Sequence, residues 1–190
     1  MESRLNASQI NNLDQYLSIL ADIDAYSSPA KFMNDISERL SSSASSRGRL
    51  FELALCEVLK QEGITPFYYQ VRFTPRSIVD FDVLLYQSPN RPLSFSLKTS
   101  LRERWKQSYL EAVILKGVYP AARCYLLTLN GGEAERMCKR MDEEHMMELD
   151  GCLLATSEGF DELIAGLREE DFEKIEAVRL FEGKKINGPV

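Results

Sequence analysis

The sequence has a single histidine, His145, among its 190 residues. This scarcity argues against zinc sites built from several histidines, against HNH-type nuclease chemistry and against Ser-His-Asp hydrolysis. No glycine-rich phosphate loop or dinucleotide fingerprint is present, so a nucleotide-dependent small-molecule enzyme is disfavoured. The four cysteines contain no CxxC pair, and we expect them to be buried free thiols in a reducing cytoplasm.

Long apolar runs are also missing. None approaches the roughly 20 residues that a membrane helix requires, and the N-terminus shows no pattern of a signal peptide. We therefore expect an intracellular protein with no membrane partner. The length suits one domain over 1–190, with N-terminal helices over 1–40, a polar linker over 41–47 and a catalytic core over 48–190.

The net charge is −6, and it is unevenly distributed. Between Thr65 and Gln107, seven basic residues outnumber three acidic ones, whereas between Gly131 and Glu173 fourteen acidic residues outnumber four basic ones. Proteins that coat nucleic acid without specificity are usually basic throughout. A basic stripe on an acidic body suits a site that contacts a polyanion over a limited footprint, although a solvated mixed-charge surface explains the charges equally well.

Hydrophobic periodicity predicts the order of the elements. Apolar residues spaced by three and four predict helices over 9–25, 29–40, 49–62, 102–116, 133–147 and 159–167. Alternating or β-rich runs predict strands over 68–73, 78–86, 93–99, 122–129 and 149–156. Antiparallel strands followed by strand–helix units predict an α/β fold, with a mixed sheet flanked by helices on both faces and an N-terminal helical pair.

A cluster of polar residues lies on the middle strands. Asp80 and Asp82 are two residues apart, as are Ser96 and Lys98, and residues at this spacing face the same side of a strand. A hairpin brings these carboxylates, the hydroxyl and the ammonium together. Such a set suits metal-assisted phosphodiester hydrolysis, in which a carboxylate holds Mg²⁺ and a lysine acts on the phosphate or the water. A purely structural Asp–Lys pair at strand ends is the alternative.

The segment after this lysine carries Arg102, Glu103 and Arg104 at the predicted start of a helix, where basic residues oppose the helix dipole. Local conflicts of this kind are common at functional sites. Arginine binds O6 and N7 of guanine through two hydrogen bonds, and glutamate accepts a hydrogen bond from N4 of cytosine. The segment therefore suits the reading of G·C pairs in a major groove, with a solvated helix start as the alternative.

The run Lys-Thr-Ser-Leu-Arg-Glu-Arg-Trp-Lys-Gln at 98–107 resembles the signature of the EcoRII, SsoII and NgoMIV group of type II restriction endonucleases, within the PD-(D/E)XK nuclease superfamily. The resemblance covers roughly 47–129. It implies a restriction-endonuclease-like fold and Mg²⁺-dependent cleavage of double-stranded DNA at a palindromic or near-palindromic site containing CC/GG, with no other cofactor. It also implies a homodimer, because two-fold symmetry in DNA is matched by two-fold symmetry in the protein.

The resemblance also implies roles for individual residues. It assigns the catalytic site to Glu52, Asp80, Asp82, Ser96, Lys98 and Glu111. Asp82 and Glu111 would hold Mg²⁺, and Asp80 competes with Asp82 for that role. Ser96 stands where most of the superfamily has an acidic residue, and Glu111 would replace that residue. Lys98 would act on the attacking water and the scissile phosphate.

Base recognition is assigned by the same resemblance to Arg102, Glu103 and Arg104, which would read the CC/GG part of the site. Two alternatives stay open. One is a DNA-repair nuclease of the same fold that makes single-strand nicks instead of double-strand cuts. The other is a DNA-binding or protein-interaction module that has lost catalysis, which the serine at position 96 favours.

Overall fold

The computed structural model describes residues 26–39, 44–73, 79–175 and 181–186. Within them lie five helices, α1 (Pro29–Glu38), α2 (Ala44–Gln61), α3 (Trp105–Val118), α4 (Gly131–Glu143) and α5 (Glu158–Arg168). The described strands are β1 (Phe67–Phe73), β2 (Asp80–Ser88), β3 (Arg91–Lys98), β4 (Arg123–Thr128), β5 (Gly151–Leu154) and β6 (Phe181–Ile186). The helix predicted over 9–25 lies outside the described residues.

The strands form one mixed sheet in the order β5-β4-β3-β2-β1-β6. β3 pairs parallel with β4, and β4 pairs parallel with β5, whereas the other neighbours are antiparallel. The parallel half is the part of the chain in which strands and helices alternate, as predicted. The sequence analysis missed β6, because its sequence, Phe-Glu-Gly-Lys-Lys-Ile, has the glycine and lysines of an edge strand and little apolar pattern.

Helices pack against both faces of the sheet. On one face, Phe51 of α2 and Phe160 of α5 lie in the same apolar cluster as Phe95 of β3. On the other face, Leu115 of α3 and Met137 of α4 belong to a second cluster. Burial on both faces explains why the central strands read as nearly continuous apolar runs. The predicted α/β fold, a mixed sheet with helices on both faces, is confirmed.

The N-terminal side of the core departs from the prediction at one point. Helix α2 begins at Ala44, inside the stretch expected to be a linker over 41–47, and residues 40–43 are outside the described part of the chain. Serine is well accommodated near helix starts, so a serine-rich stretch does not exclude the first turn of a helix. The helix ends as predicted before Gly63, which has φ 71°, and the N–H of Ile64 bonds to the carbonyl of Leu59 at 2.8 Å.

The four cysteines are free thiols. Cys56, Cys124 and Cys152 are buried, as expected, but the expectation is wrong for Cys138, which is exposed on α4. Among the described residues, no helix is long and apolar enough to cross a membrane.

Candidate active site

Strands β2 and β3 part at one end, and an aspartate fills the gap between them. Their antiparallel ladder ends at the pair Val83 and Phe95. Beyond this pair, Oδ2 of Asp82 accepts a hydrogen bond of 2.7 Å from the backbone N–H of Leu97 and one of 3.1 Å from Nζ of Lys98. The carboxylate therefore takes the place of a backbone acceptor. The ion pair is shielded from water, with the lysine side chain only 8% exposed.

A buried glutamate reaches the same cluster from helix α3. Oε2 of Glu111 accepts a hydrogen bond of 2.9 Å from Oγ of Ser96, and its Oε1 accepts one of 2.9 Å from Nε2 of Gln107. Oγ of Ser108 lies 2.8 Å from Oγ of Ser96. Because Ser96 has one hydroxyl proton and donates it to Glu111, Ser108 donates to Ser96. The structure thus brings together the serine and the glutamate that the resemblance linked.

The ionisation of Glu111 reflects this burial. Desolvation raises the pKa of Glu111 to about 7, and the charge of Asp82 raises it as well. The ammonium of Lys98 and the hydrogen bonds from Ser96 and Gln107 act in the opposite direction without cancelling the effect. Burial is therefore the main reason why Glu111 holds its proton more tightly than an exposed glutamate does.

Glu52 lies on α2, and three donors hold its carboxylate. Its Oε2 accepts hydrogen bonds from the hydroxyl of Tyr69 at 2.9 Å, from Nε2 of Gln70 at 3.2 Å and from Nη1 of Arg49 at 3.4 Å. The guanidinium of Arg49 also lies over the ring of Tyr69, 4.7 Å from its centroid. Burial raises the pKa of Glu52, and the charge of Asp82 raises it as well.

The structure separates the two aspartates of β2. Asp80 is the first residue of the strand, and its Oδ1 accepts a hydrogen bond of 3.3 Å from Nε of Arg72 on β1. Both side chains are about 60% exposed. The structure therefore brings Asp82, and not Asp80, to Lys98, because only Asp82 lies where β2 and β3 part.

The donor set fits a hard divalent cation. The described residues contain no group of three or more His, Cys, Asp or Glu side chains arranged to hold a metal ion. Mg²⁺ is commonly bound by one or two carboxylates, with water and phosphate oxygens as its other ligands. Asp82 and Glu111 supply two such carboxylates, and Oδ1 of Asp82 accepts no hydrogen bond within the described part of the chain. A cation here would also oppose the charge of Asp82, which adds to the rise that burial causes in the pKa of Glu111.

The segment of Arg102, Glu103 and Arg104 follows the end of β3 and is not helical. Residues 102–104 form an exposed turn, and α3 begins at Trp105, later than predicted. Arg104 is the N-cap residue and makes no capping hydrogen bond through its side chain. Glu103 is paired with Lys106. Arg102, Glu103 and Arg104 therefore project from a turn between the end of β3 and α3, directly after the strand that carries Lys98.

Several residues that contact the site carry little signal in the sequence. Tyr69 lies in an aromatic strand whose pattern predicts packing alone, but its hydroxyl binds Glu52. Gln70 has φ 48°, a backbone conformation for which its sequence carries no signal. Ser108 did leave a signal, because it lies three residues before Glu111 and both are polar residues on the buried face of a helix.

No protein-family profile matches the chain, and no curated protein matches it. It is similar in structure to the type IIP restriction endonuclease Kpn2I, with 14% sequence identity and a TM-score of 0.47, over 77% of this chain and 61% of Kpn2I. It is also similar to NucC from P. aeruginosa in its cAAA-bound form, with 11% identity and a TM-score of 0.52, over 90% of this chain and 94% of NucC. The chain has a restriction-endonuclease-like fold.

In this restriction-endonuclease-like fold, the cluster of Asp82, Lys98, Ser96 and Glu111 lies where the antiparallel and parallel halves of the sheet meet. β3 belongs to both halves, since it pairs antiparallel with β2 and parallel with β4. Similarity at these identities shows the fold alone. Membership of the EcoRII, SsoII and NgoMIV group, and the roles of the site residues, stay predictions.

Proposed function

We propose that the protein is a Mg²⁺-dependent endodeoxyribonuclease, a type II restriction enzyme that cleaves duplex DNA at a palindromic or near-palindromic site containing CC/GG. The observation that carries this proposal is the buried cluster of Asp82, Lys98, Ser96 and Glu111 at the ends of β2 and β3. Burying unbalanced carboxylates lowers the stability of a protein, so such a cluster is better explained by catalysis than by stability.

Different hydrogen-bond donors hold the two carboxylates of the cluster. Asp82 and Glu111 would hold Mg²⁺, which when bound polarises the scissile phosphate and lowers the pKa of the attacking water. The backbone N–H of Leu97 holds the carboxylate of Asp82, and the side chains of Ser96 and Gln107 hold the two oxygens of Glu111. These donors keep the carboxylates oriented before DNA binds, which is the preorganisation that electrostatic catalysis requires.

Lys98 and Glu52 would act on the reacting groups. Lys98, held by Asp82 at 3.1 Å, donates to the phosphate oxygens or positions the water, and it stabilises the negative charge that develops in the transition state. Glu52 completes the site from α2. Burial raises the pKa of Glu52, which makes its carboxylate a stronger base towards water.

Recognition of the DNA follows from the exposed turn at 102–104. Arg102 and Arg104 would bind guanine, and Glu103 would accept from cytosine in the CC/GG part of the site. A palindromic site calls for two copies of this turn, which a two-fold homodimer supplies.

Digestion of unmethylated plasmid and phage DNA tests the proposal. We expect discrete fragments with Mg²⁺, none with EDTA, and none with Lys98→Ala. Lys60→Ala is the matched control, because Lys60 lies on α2 in an exposed pair with Glu57 and its loss removes the same charge. Mapped fragment ends would give the recognition site. Folded protein that cleaves nothing with Mg²⁺ or Mn²⁺ would overturn the proposal and favour the binding module that has lost catalysis.

A further inference from the structure

A pocket lined by arginine lies beside the candidate active site. It has a volume of about 250 Å³ and lies between the turn at 102–104 and helix α4. Its charged walls come from Arg102 and Glu103 on the turn and from Glu133, Arg136 and Arg140 on α4. The α4 residues recur at spacings of three and four, so one face of the helix lines the pocket.

The pocket opens on the edge of the sheet that carries the catalytic lysine. β3 and β4 are parallel, and Lys98 at the end of β3 pairs with Thr128 at the end of β4. Helix α4 starts immediately after this end of β4. Glu133 then joins the two segments, because it accepts hydrogen bonds from the N–H of Leu101 at 2.5 Å and from Oγ of Ser100 at 3.1 Å.

The acidic groups of the pocket are already engaged, whereas two of its arginines, Arg102 and Arg136, are not. Glu133 is occupied by the two hydrogen bonds from the turn, and Glu103 is paired with Lys106. Arg102 and Arg136 are exposed, and neither side chain makes a hydrogen bond or an ion pair with another residue of the described chain. The walls therefore present guanidinium donors to solvent and few acceptors.

An aromatic ring orients the third arginine. The guanidinium of Arg140 lies over the ring of Trp105, 4.8 Å from its centroid, and Nε of Arg140 is 3.3 Å from Oε1 of Glu144. Stacking of this kind holds the plane of the guanidinium while its edge stays available to hydrogen-bond acceptors.

The placement of these arginines stands out against the composition of the segment. The stretch from Gly131 to Glu173 has fourteen acidic residues and four basic ones. Two of those four, Arg136 and Arg140, line the pocket beside the basic turn. An acidic stretch of the chain therefore places two arginines beside the candidate active site, where they could contact a polyanion.

We propose that Arg136 and Arg140 of α4 bind backbone phosphates of the DNA duplex that occupies the active site. Guanidinium groups bind phosphate oxygens through paired hydrogen bonds, and the two carboxylates that line the pocket are already engaged by other donors. The inference rests on the proposed function, since it assigns the duplex to this edge. In this arrangement, the turn at 102–104 reads the bases and α4 binds the phosphate backbone of the DNA.

Duplex binding at several salt concentrations tests the inference, with Ca²⁺ in place of Mg²⁺ to limit cleavage. We expect the double variant Arg136→Ala/Arg140→Ala to bind cognate and unrelated duplexes about tenfold more weakly, by the same factor for both. The slope of log K against log[salt] should become shallower by about 2, because each lost phosphate contact removes about 0.9. Arg136→Ala alone, which breaks no hydrogen bond or ion pair of the side chain in the described chain, should show about half of the change in slope and keeps the test valid if the double variant fails to fold.

The matched control is the double variant Lys60→Ala/Lys139→Ala. Lys139 lies on α4 outside the pocket, paired with Glu143, and Lys60 lies on α2. This variant removes the same charge, and we expect it to leave the affinity and the slope unchanged.

Four results would overturn the inference. An unchanged slope in the arginine variants would do so while leaving the nuclease proposal intact. A loss confined to the cognate duplex would mean base reading. Displacement of the duplex by a free nucleotide at the same phosphate concentration would indicate a small-ligand pocket. Wild-type protein that neither binds nor cleaves any duplex would remove the proposed function together with the inference.

Discussion

At the scale of single residues, buried polar side chains distinguish this protein from a chain built only for stability. Four such residues are at most 6% exposed, namely Ser96, Lys98, Ser108 and Glu111. Hydrogen bonds connect Ser108 to Ser96 and Ser96 to Glu111. Lysine and glutamate are seldom so buried unless they are paired. Lys98 is paired with Asp82, but the carboxylate of Glu111 has only neutral donors at hydrogen-bond distance.

The buried carboxylate of Glu111 predicts a pH-dependent effect of Glu111→Gln. Burial raises the pKa of Glu111 from 4.5 to about 7 in the folded protein. As pH rises between these values, the unfolded chain loses this proton first, so the folded state loses stability. We expect Glu111→Gln to be more stable than the wild type in EDTA at pH 8, by on the order of 3 kcal/mol, with a much smaller difference at pH 5. Urea unfolding at both pH values measures this, and equal differences would contradict it.

At the scale of elements, an irregularity in strand β1 places a hydrogen-bond donor beside Glu52. Its pairing with β6 changes register between Tyr69 and Arg72, and Gln70, inside this interval, has φ 48°. A non-glycine residue in this left-handed region costs roughly 1–2 kcal/mol. In this strained position the amide of Gln70 reaches Glu52 at 3.2 Å. Irregularities of this kind re-aim side chains beside active sites.

Two substitutions separate the backbone of Gln70 from its side chain. Gln70→Gly accepts the positive φ without strain, so we expect its stability to stay within about 1 kcal/mol of the wild type. Its rate of DNA cleavage should fall several-fold, because Glu52 loses a donor. Gln70→Val should be less stable by more than about 1 kcal/mol, since β-branched residues avoid positive φ. If the glycine variant is as unstable as the valine variant, the conformation is not the source of the strain.

At the scale of the whole molecule, helices cover both faces of the sheet, so the ends of its strands remain available for a functional site. The apolar clusters occupy both faces, and the ends of β2 and β3 carry Asp82 and Lys98 at one edge. α2, α3 and α4 each bring polar residues to this edge, namely Glu52, Glu111 and Arg136. The rigid sheet thus positions side chains that are far apart in the sequence, as precise catalytic geometry requires.

The proposed palindromic site predicts that the protein is a dimer, which a measurement of molecular mass can test. Light scattering at micromolar concentration should give about twice the 21.7 kDa of the chain. Such a homodimer should convert supercoiled plasmid into linear DNA in one binding event, because each copy cuts one strand. A particle of the single-chain mass, with nicked circles as the lasting product, would contradict this prediction and favour the nicking nuclease.

By itself, the sequence determined the order of helices and strands from α1 to α5 and pointed to Lys98 and to the segment that follows it. These features are local, because helical and strand periodicity and short motifs are written within a few consecutive residues. Residue spacing also placed Glu111 on a helix close after this segment, and the resemblance gave that residue its importance.

Only the tertiary structure decided which of these residues meet. It brought Asp82 rather than Asp80 to Lys98, joined Ser96 to Glu111 through one hydrogen bond, and placed the arginines of α4 beside the turn at 102–104. It also showed that β6 completes the sheet. The physical reason is that hydrogen bonds and ion pairs depend on distances of about 3 Å between elements. The packing of helices on the sheet sets those distances, and no local pattern in the sequence encodes them.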